Sequence, residues 1–467
     1  MMASLPLAQT LAALPPEWQE DLLPSIRHSL QAGGRRLIVL DDDPTGTQTV
    51  HDVPVLTQWS AAALLREFSA GTPFFYILTN SRGLPEAGAC RLSENLARNL
   101  EAAAQKTGAS YDIISRSDST LRGHFPAELH ALETALQTRF DAWLIVPFFL
   151  EGGRYTIADI HYVDSAGMLV PAGETEFARD RTFGYSCSNL REWVAEKTGG
   201  AIPAAQVASI SSAELRLGGP EVVLERLMNL PKGCVCVVNA AAYRDLEVLV
   251  AAIRAAGQQG RRFLFRSAAS LVRVMAGQRA SGLLSAESLD LPRKTGALVV
   301  VGSYVPRSTV QLETLVQQAA MVQLELDVEA LLDETRANPE INRAVAAIDR
   351  SLAAGQDVVT FTSRRLMAGA DPLESLQIGQ RVSAGLVQVV ERLSVCPRYL
   401  LAKGGITSSD LATRALKVER AMVLGQILPG VPVWRLGPET RFPGLTYIVF
   451  PGNVGAPDAL AAIVHQL

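Results

Sequence analysis

The sequence predicts an α/β protein with two domains, each a mainly parallel β-sheet flanked by helices. Short apolar runs alternate with longer stretches of helical periodicity that are rich in Ala, Leu, Glu and Arg, and this alternation is typical of parallel α/β layers. A chain of 467 residues also exceeds what one hydrophobic core usually serves. Several apolar runs end in polar residues, and α/β sheets bind their ligands at the carboxyl ends of strands.

The apolar runs fall into two series, separated by a segment rich in Gly, Ser and charged residues at 276–296. We therefore expect an N-terminal domain of residues 1–280 and a C-terminal domain of residues 290–467. The stretch 151–193 does not follow the alternation, and we expect it to form an inserted hairpin or lid. The runs predicted as strands are 37–40, 74–78, 111–115, 142–149, 234–240, 261–266, 297–304, 322–327, 357–363, 398–405, 432–436 and 446–453.

Composition and charge exclude several classes of protein. A net charge of -4 gives no broad basic field for nucleic acid, and no run of about 18 apolar residues predicts a membrane span. The N-terminal segment lacks the charged start of a signal peptide. The five cysteines form no Cys-x-x-Cys pair, which argues against a zinc site or a disulfide framework. We expect a cytoplasmic protein.

The stretch "LDDDPTG" has three consecutive carboxylates, Asp41, Asp42 and Asp43, at the end of the first long apolar run. One hypothesis is a phosphatase that uses Asp41 as its nucleophile in an Asp-x-Asp-x-Thr pattern with Asp43 and Thr45. That mechanism needs a later acidic pair for magnesium, and the chain has no second Asp-Asp pair. The other hypothesis is phosphoryl transfer, in which the carboxylates handle a substrate hydroxyl and a metal.

Two further strand-end loops carry arginines and hydroxyl groups. The first is "TNSRG", with Arg82, and the second is "SDSTLRG", residues 117–123. Guanidinium groups grip two oxygens at once and suit a carboxylate or phosphate ligand. A surface turn with an Asp-Arg ion pair would explain the second loop equally well. His124 and His161 could be considered as a general base, but neither is paired with a nucleophile, so we leave both out of the catalytic set.

Three strand ends in the second half carry glycine. They are at Gly302, at the pair Gly404 and Gly405, and at Gly452. Glycines let the backbone approach phosphate oxygens, and free amides at a helix start attract anions, so these ends predict a nucleotide site. For the second of them, a helix cap at Thr407 or Ser408 is the alternative. No Gly-x-x-x-x-Gly-Lys-Ser/Thr loop or Gly-x-Gly-x-x-Gly fingerprint occurs.

At these residues the sequence resembles the four-carbon acid sugar kinase family, which includes kinases for D-threonate, D-erythronate and 3-oxo-tetronate. Six motifs match in order along the whole chain: "LDDDPTGTQ", "TNSRG", "SDSTLRG", "VGSYVPRSTVQ", "KGGITSSDLATRAL" and "FPGNVG". The resemblance implies an N-terminal domain that binds the acid sugar and a C-terminal domain that binds ATP. It also implies an active site in the cleft between them, where the terminal hydroxyl is phosphorylated.

The resemblance further implies the binding residues. Substrate would be bound by Asp42, Arg82, Ser119, Thr120, Leu121 and Arg122, and ATP by Ser303, Gly404, Gly405, Ile406, Thr407 and Gly452. The chain departs from the family at its last motif, where Phe450 and Pro451 replace a Lys-Ser pair. The phosphate contact of that lysine is then absent or supplied elsewhere, for example by Lys403.

Our mechanistic hypothesis is that Asp43 or Asp118 orients and deprotonates the sugar hydroxyl. Asp42 would hold the site or the metal, and Arg82 and Arg122 would clamp the substrate carboxylate. We expect ATP and Mg²⁺ as cofactors, with the metal ligands not identified. The expected partners are a small sugar acid and ATP, with no nucleic acid and no membrane. A homodimer would fit, because most soluble oligomers are symmetric.

Overall fold

A computed structural model describes residues 3–32, 35–43, 45–292, 294–303, 305–364, 372–452 and 454–467, without the side chains of 372–376. The chain forms two compact units. The first consists of residues 1–50 and 58–280, and the second of residues 51–57 and 281–467. The short segment 51–57 therefore departs from the predicted boundary, because its strand pairs with a strand of the second unit.

The strands and helices have the following bounds. The strands are β1 (Leu5–Pro6), β2 (Arg35–Asp41), β3 (Val53–Leu56), β4 (Phe74–Leu78), β5 (Ser110–Arg116), β6 (Ala142–Val146), β7 (Arg154–Ile157), β8 (Ile160–Ser165), β9 (Met168–Pro171), β10 (Ala208–Ile210), β11 (Cys234–Val238), β12 (Phe263–Ser267), β13 (Leu298–Val301), β14 (Val322–Leu326), β15 (Val358–Thr362), β16 (Leu400–Lys403), β17 (Arg420–Leu428), β18 (Val431–Leu436) and β19 (Thr446–Phe450). The helices are α1 (Leu7–Ala12), α2 (Leu23–Ala32), α3 (Ala61–Ser69), α4 (Glu86–Thr107), α5 (Ala127–Leu136), α6 (Leu190–Lys197), α7 (Gly219–Met228), α8 (Tyr243–Gln258), α9 (Ala269–Met275), α10 (Ala286–Leu289), α11 (Pro306–Gln318), α12 (Val328–Leu332), α13 (Ala337–Ala353), α14 (Pro372–Arg392), α15 (Gly405–Asp410) and α16 (Ala459–Gln466).

The first unit is built on a parallel sheet with the strand order β10-β11-β6-β12-β5-β2-β4. Its central strands are buried on both faces, as in Leu37–Val39, where the exposed fraction is zero. Continuous apolar runs of this kind are characteristic of parallel sheets covered by helices on both sides. Because β5, β2 and β4 are neighbours and parallel, their carboxyl ends meet at one edge of the sheet.

The stretch 151–193 contributes a small antiparallel sheet to the same unit, with the order β1-β9-β8-β7. The strand β1 comes from the N-terminus of the chain and pairs with β9 through Leu5 and Leu169. A tight turn at Ala158 and Asp159, both with positive φ, joins β7 to β8. This sheet supplies side chains to the site described below.

The second unit has a mixed sheet with the order β3-β17-β18-β19-β16-β13-β15-β14. The strands from β19 to β14 in that order are parallel, and β3, β17 and β18 extend the sheet with antiparallel pairs. The prediction of mainly parallel sheets flanked by helices is confirmed. In the described ranges, no helix is both long and apolar enough to cross a membrane.

Candidate functional site

The first candidate site lies at the carboxyl ends of β2, β4 and β5. We call the group formed there by Asp42, Asp43, Asp118 and Arg82 the acidic cluster. Asp42 and Asp43 follow β2, Arg82 follows β4, and Asp118 follows β5. The sheet therefore brings together three of the motifs singled out in the sequence.

Arg82 joins the three carboxylates. Its Nη2 and Nε donate to the two oxygens of Asp42 at 2.5 and 3.2 Å, and its Nη1 donates to Asp43 Oδ2 at 3.2 Å. The same Nη1 lies 3.8 Å from Asp118 Oδ1. The sequence-based hypothesis assigned Arg82 to the substrate carboxylate, but its donors are directed at the protein's own carboxylates. Because its guanidinium has three acidic neighbours, Arg82 is better suited to orienting these carboxylates than to binding the carboxylate of a substrate.

Asp43 and Asp118 remain ionised because of their neighbours. Burial, the largest single effect, raises the pKa of each carboxyl group, but Arg82 and the other neighbouring donors together outweigh it, so that both pKa values are lowered. Hydrogen bonds from Thr45 lower the pKa of Asp43 further, and Arg122 and Thr120 hold the pKa of Asp118 well below its usual range. Both groups can therefore accept a hydrogen bond from a substrate hydroxyl throughout the neutral range.

The carboxylates of Asp43 and Asp118 differ in which of their oxygen atoms accept hydrogen bonds from the described residues. Asp43 Oδ1 accepts from the Thr45 hydroxyl at 2.5 Å and from its backbone amide at 2.9 Å, while Oδ2 accepts from Arg82. Asp118 Oδ2 accepts from Arg122 Nε at 2.8 Å and from the Thr120 hydroxyl. No hydrogen bond to Asp118 Oδ1 occurs among the described residues, so this oxygen is available to a ligand.

Asp41 belongs to the protein interior. It is 1% exposed, Arg116 Nη1 donates to its Oδ1 at 3.0 Å, and its Oδ2 is buried without a hydrogen-bond partner. A Cβ added at Gly46 would lie only 1.8 Å from Oδ2. Burial raises the pKa of Asp41 to about 7, against the opposing effect of Arg116 and with the help of Asp42 and Asp43. A carboxyl group enclosed in this way is poorly placed to attack a phosphate, which argues against the phosphatase hypothesis.

We predict that Asp41 makes the protein less stable as the pH rises from about 4 to about 7. In this window the folded state holds a proton that the unfolded state has released, so the free energy of unfolding falls by about 1.4 kcal/mol per pH unit from this group. Asp41→Asn removes the titration and keeps an oxygen for Arg116. In urea unfolding at pH 5, 6 and 7, the free energy of unfolding of the variant relative to that of the wild type should therefore increase with pH, and identical slopes would contradict the prediction.

The loop after β5 is held in place by the inserted sheet. Leu121 adopts a left-handed conformation with φ of +68°, which is uncommon for a residue with a branched side chain. His161 on β8 donates from Nε2 to the carbonyl of Ser119 at 2.7 Å, and the Tyr185 hydroxyl donates to the carbonyl of Thr120 at 2.7 Å. These contacts fix a strained loop and direct its side chains toward the acidic cluster.

Sequence reasoning did not identify these supporting residues. His161 is fully buried, and burial lowers its pKa to about 4, so the ring is neutral. Its Nδ1 then accepts from Thr156, which leaves Nε2 to donate to the loop. Ser117, whose hydroxyl donates to Asp42, was also missed. No sequence pattern marks these residues, because each acts through a contact that exists only in the folded chain.

The second candidate site lies at the carboxyl ends of β13, β16 and β19, which are parallel neighbours. Ser308 donates to Ser303 Oγ and to the carbonyl of Gly452, both at 3.0 Å. A Cβ added at Gly302 would lie 2.3 Å from Thr407 Oγ1, and one at Gly404 would lie 3.0 Å from Ser303 Cβ. The predicted nucleotide-binding residues of these three strand ends therefore lie close together.

Helix caps do not account for the polar residues in this region. Ser308 and Gln311 have the spacing of a capping box, but α11 begins at Pro306, and Gln311 Nε2 donates to the carbonyls of Val454, Gly455 and Ala456 instead. The cap alternative for Thr407 or Ser408 also fails, because α15 begins at Gly405. Gln311 therefore binds the loop after β19, whereas the Ser408 hydroxyl donates to the carbonyls of Ala402 and Gly404 at the end of β16.

Lys403 is not exposed to a ligand. Its side chain is fully buried, and Nζ donates to the carbonyls of Pro451 and Gly452 at 2.6 and 3.3 Å. The ammonium also lies 3.9 Å from the centre of the Phe450 ring. Burial lowers its pKa to about 7, with Arg307 acting in the same direction. Lys403 therefore fixes the backbone after β19, and the suggestion that it contacts phosphate directly finds no support in this geometry.

Ile406 differs from its neighbours because its side chain is 77% exposed. It follows the two glycines at the start of α15, and Val305, which is 40% exposed, precedes α11. Exposed apolar side chains beside a polar strand end provide surface for the flat face of a base. Their position is compatible with the predicted role of Ile406 in ATP binding.

We predict that Gly404→Ala destabilises the protein by roughly 1–3 kcal/mol. Gly404 has φ of +116°, a conformation that a side chain rarely adopts. Gly405→Ala is the matched control, because its φ is not positive and an added Cβ there meets nothing within 4 Å. Urea unfolding should show a loss for the first variant and none for the second. Equal stability of the two variants would contradict the assignment of backbone strain to Gly404.

The described side chains do not form a metal site by themselves. In the part of the chain that the structure describes, no group of three or more His, Cys, Asp and Glu side chains could hold an ion. The carboxylates of the acidic cluster are directed at Arg82.

Comparison with known proteins agrees with the division into two sites. Residues 37–275 match the family model of a sugar-binding N-terminal domain, and residues 298–460 match that of a nucleotide-binding C-terminal domain. The chain is 26% identical over 372 residues to a D-threonate kinase of Cupriavidus necator, covering 80% of this chain and 83% of the relative. It is 25% identical over 415 residues to a D-erythronate kinase of Heliobacterium modesticaldum, covering 84% and 83%.

Solved structures show the same fold. A Salmonella typhimurium LT2 protein matches with a TM-score of 0.65 and a Haemophilus influenzae protein with 0.61, each at 18% identity over 92% of this chain and 99% of the other. A fold with one sugar-binding and one nucleotide-binding domain, matched by kinases, defines a phosphotransferase of the kinase class. Within that class, the chain belongs to the four-carbon acid sugar kinase family.

Proposed function

We propose that this protein transfers the terminal phosphoryl group of ATP to the terminal hydroxyl of a four-carbon sugar acid in carbohydrate catabolism. The acid is of the threonate, erythronate or 3-oxo-tetronate type. The observation that carries the proposal is the acidic cluster, in which Arg82 lies among three carboxylates at one edge of the sheet and Asp118 Oδ1 has no hydrogen bond from a described residue. An ionised oxygen in such a position suits a hydroxyl that must be oriented for attack.

In this proposal, each group of residues has a different role in the reaction. Asp118, with Asp43 as the second candidate, accepts the hydrogen bond of the attacking hydroxyl and receives its proton. Asp42, bonded by Arg82 and Ser117, holds the cluster together. The strand ends at Ser303, Gly404 and Gly452 bind the ATP phosphates. Mg²⁺ brought in with the nucleotide would supply positive charge to offset part of the charge of the phosphates.

The test is ADP release with ATP and Mg²⁺ across D- and L-threonate, D- and L-erythronate and 3-oxo-tetronates. Turnover that requires one of these acids and disappears in Asp118→Asn or Asp43→Asn would support the proposal and identify the substrate. Phosphate release from phosphorylated sugar acids without nucleotide, with a phosphoryl group on Asp41, would favour the phosphatase. Binding of an acid without any nucleotide turnover would indicate a non-catalytic sugar-acid-binding protein.

A further inference from the structure

Arg154 is a cation of the first unit that forms no ion pair within 4 Å in the part of the chain that the structure describes. It begins β7 in the inserted sheet, and its guanidinium lies 5.6 Å from the centre of the Phe177 ring. Its Nε is buried without a hydrogen-bond partner, and no ion pair to Arg154 occurs among the described residues. Arg154 is half-buried, and a buried guanidinium donor without an acceptor is costly, so this arrangement suggests that a ligand supplies an anionic acceptor.

A second guanidinium lies over the same ring. Arg122 is 5.3 Å from the centre of Phe177, its Nε donates to Asp118, and its Nη1 lies 3.7 Å from Asp180 Oδ2. Two like charges on one aromatic ring repel each other unless an anion lies beside them. Burial lowers the pKa of Arg154, Asp118 opposes this change, and Arg122 lowers the pKa further.

We propose that Arg154, together with Arg122, binds the carboxylate of the sugar-acid substrate. This inference rests on the proposed function and assigns the acid end of the substrate, which the mechanistic hypothesis had given to Arg82 and Arg122. Arg122 contacts Asp118 through Oδ2, whereas Oδ1 of the same residue faces Arg82. A sugar acid bound by Arg122 and Arg154 can then extend toward Oδ1 with its terminal hydroxyl.

A purely structural role is the competing explanation, since Arg154 also covers an aromatic ring. Arg154→Met distinguishes the two, because methionine retains an apolar chain against Phe177 and removes the charge. Arg154→Lys keeps the charge but loses the planar fork that matches a carboxylate. Arg179→Gln is the matched control, because Arg179 is an exposed arginine of the same inserted segment.

The experiment measures KM and kcat of the full-length protein for its best acid, and for the neutral tetritol of the same stereochemistry. Arg154→Met should raise KM for the acid roughly 10- to 100-fold, as expected for loss of a charge-assisted contact, while KM for ATP stays unchanged. The preference for the acid over the tetritol should fall by a similar factor. Arg154→Lys should be intermediate, and Arg179→Gln should match the wild type.

The outcomes separate this inference from the proposed function. If the wild type turns over an acid and a folded Arg154→Met variant keeps both its KM and its acid preference within twofold, the assignment of Arg154 is wrong and the kinase function stands. If the wild type neither binds nor phosphorylates any sugar acid, the proposed function fails and the inference fails with it. A thermal unfolding curve for each variant shows whether it is folded.

Discussion

Replacing Arg82 with glutamine should abolish turnover and lower the free energy of unfolding by about 3–5 kcal/mol, the range for breaking a buried ion pair. Arg82 is bonded to Asp42 and Asp43 and lies near Asp118. Without its charge, three carboxylates would remain close together in a partly buried site with much weaker compensation. They would separate or take up protons, and the geometry that orients the hydroxyl would be lost. Urea unfolding and ADP release measure the two effects.

The matched control for this prediction is Arg35→Gln. Arg35 donates to Asp112 at 2.6 Å in an ion pair that joins β2 to β5 at the amino end of β2, and both side chains are more exposed than those of Arg82 and Asp42. Pairs of that kind contribute about 1 kcal/mol or less. If the two variants lost similar amounts of stability, or if Arg82→Gln retained turnover, the prediction that Arg82 holds the acidic cluster together would be wrong.

The order of the strands in each parallel sheet explains why much of the site was predictable. An apolar run followed by polar residues predicts a strand that ends in a site, and Asp42, Arg82 and Asp118 all follow such runs. Parallel neighbours must bring their carboxyl ends together, so the convergence of these residues required no knowledge of side-chain geometry. The same reasoning applies to Ser303, Gly404 and Gly452 in the second unit.

The direction of each side chain could not be predicted in this way. Two arginines in strand-end loops suggested two clamps for a substrate carboxylate, but the donors of Arg82 are taken by Asp42 and Asp43. Which donor meets which acceptor depends on loops that are distant in the sequence. His161 and Tyr185 reach the loop at 117–123 only after the inserted sheet has folded.

Proximity in the sequence was also misleading at one boundary. Residues 51–57 follow the first acidic motif, and sequence reasoning assigned them to the N-terminal domain. Their strand β3 pairs with β17 through Val55 and Ala421, and Thr57 donates a hydrogen bond to the carbonyl of Val418. Pairing between strands so far apart is decided by the edge that each sheet leaves open, which no local pattern in the sequence reveals.

Asp118→Asn should lower kcat by about 10²- to 10⁴-fold, the usual contribution of a group that accepts a proton in the transition state. Asp118 Oδ1 has no hydrogen bond among the described residues, whereas both oxygens of Asp43 are occupied by Thr45 and Arg82. Asparagine keeps the size of the side chain and an oxygen for Arg122 but cannot take the proton. KM for ATP should stay unchanged, and steady-state kinetics with the productive acid will measure both constants.

Asp43→Asn is the comparison that decides between the two candidate bases. If Asp43→Asn shows the larger loss of kcat and Asp118→Asn remains active, the proton is accepted by Asp43. The pH dependence does not separate Asp43 from Asp118, but it tests for a contribution from Asp41. Because the pKa of each carboxyl group is lowered, both stay ionised as the pH falls, so neither should reduce kcat between pH 8 and about pH 5. A fall in kcat across that range that disappears in Asp41→Asn would instead trace the loss to Asp41, whose pKa is about 7.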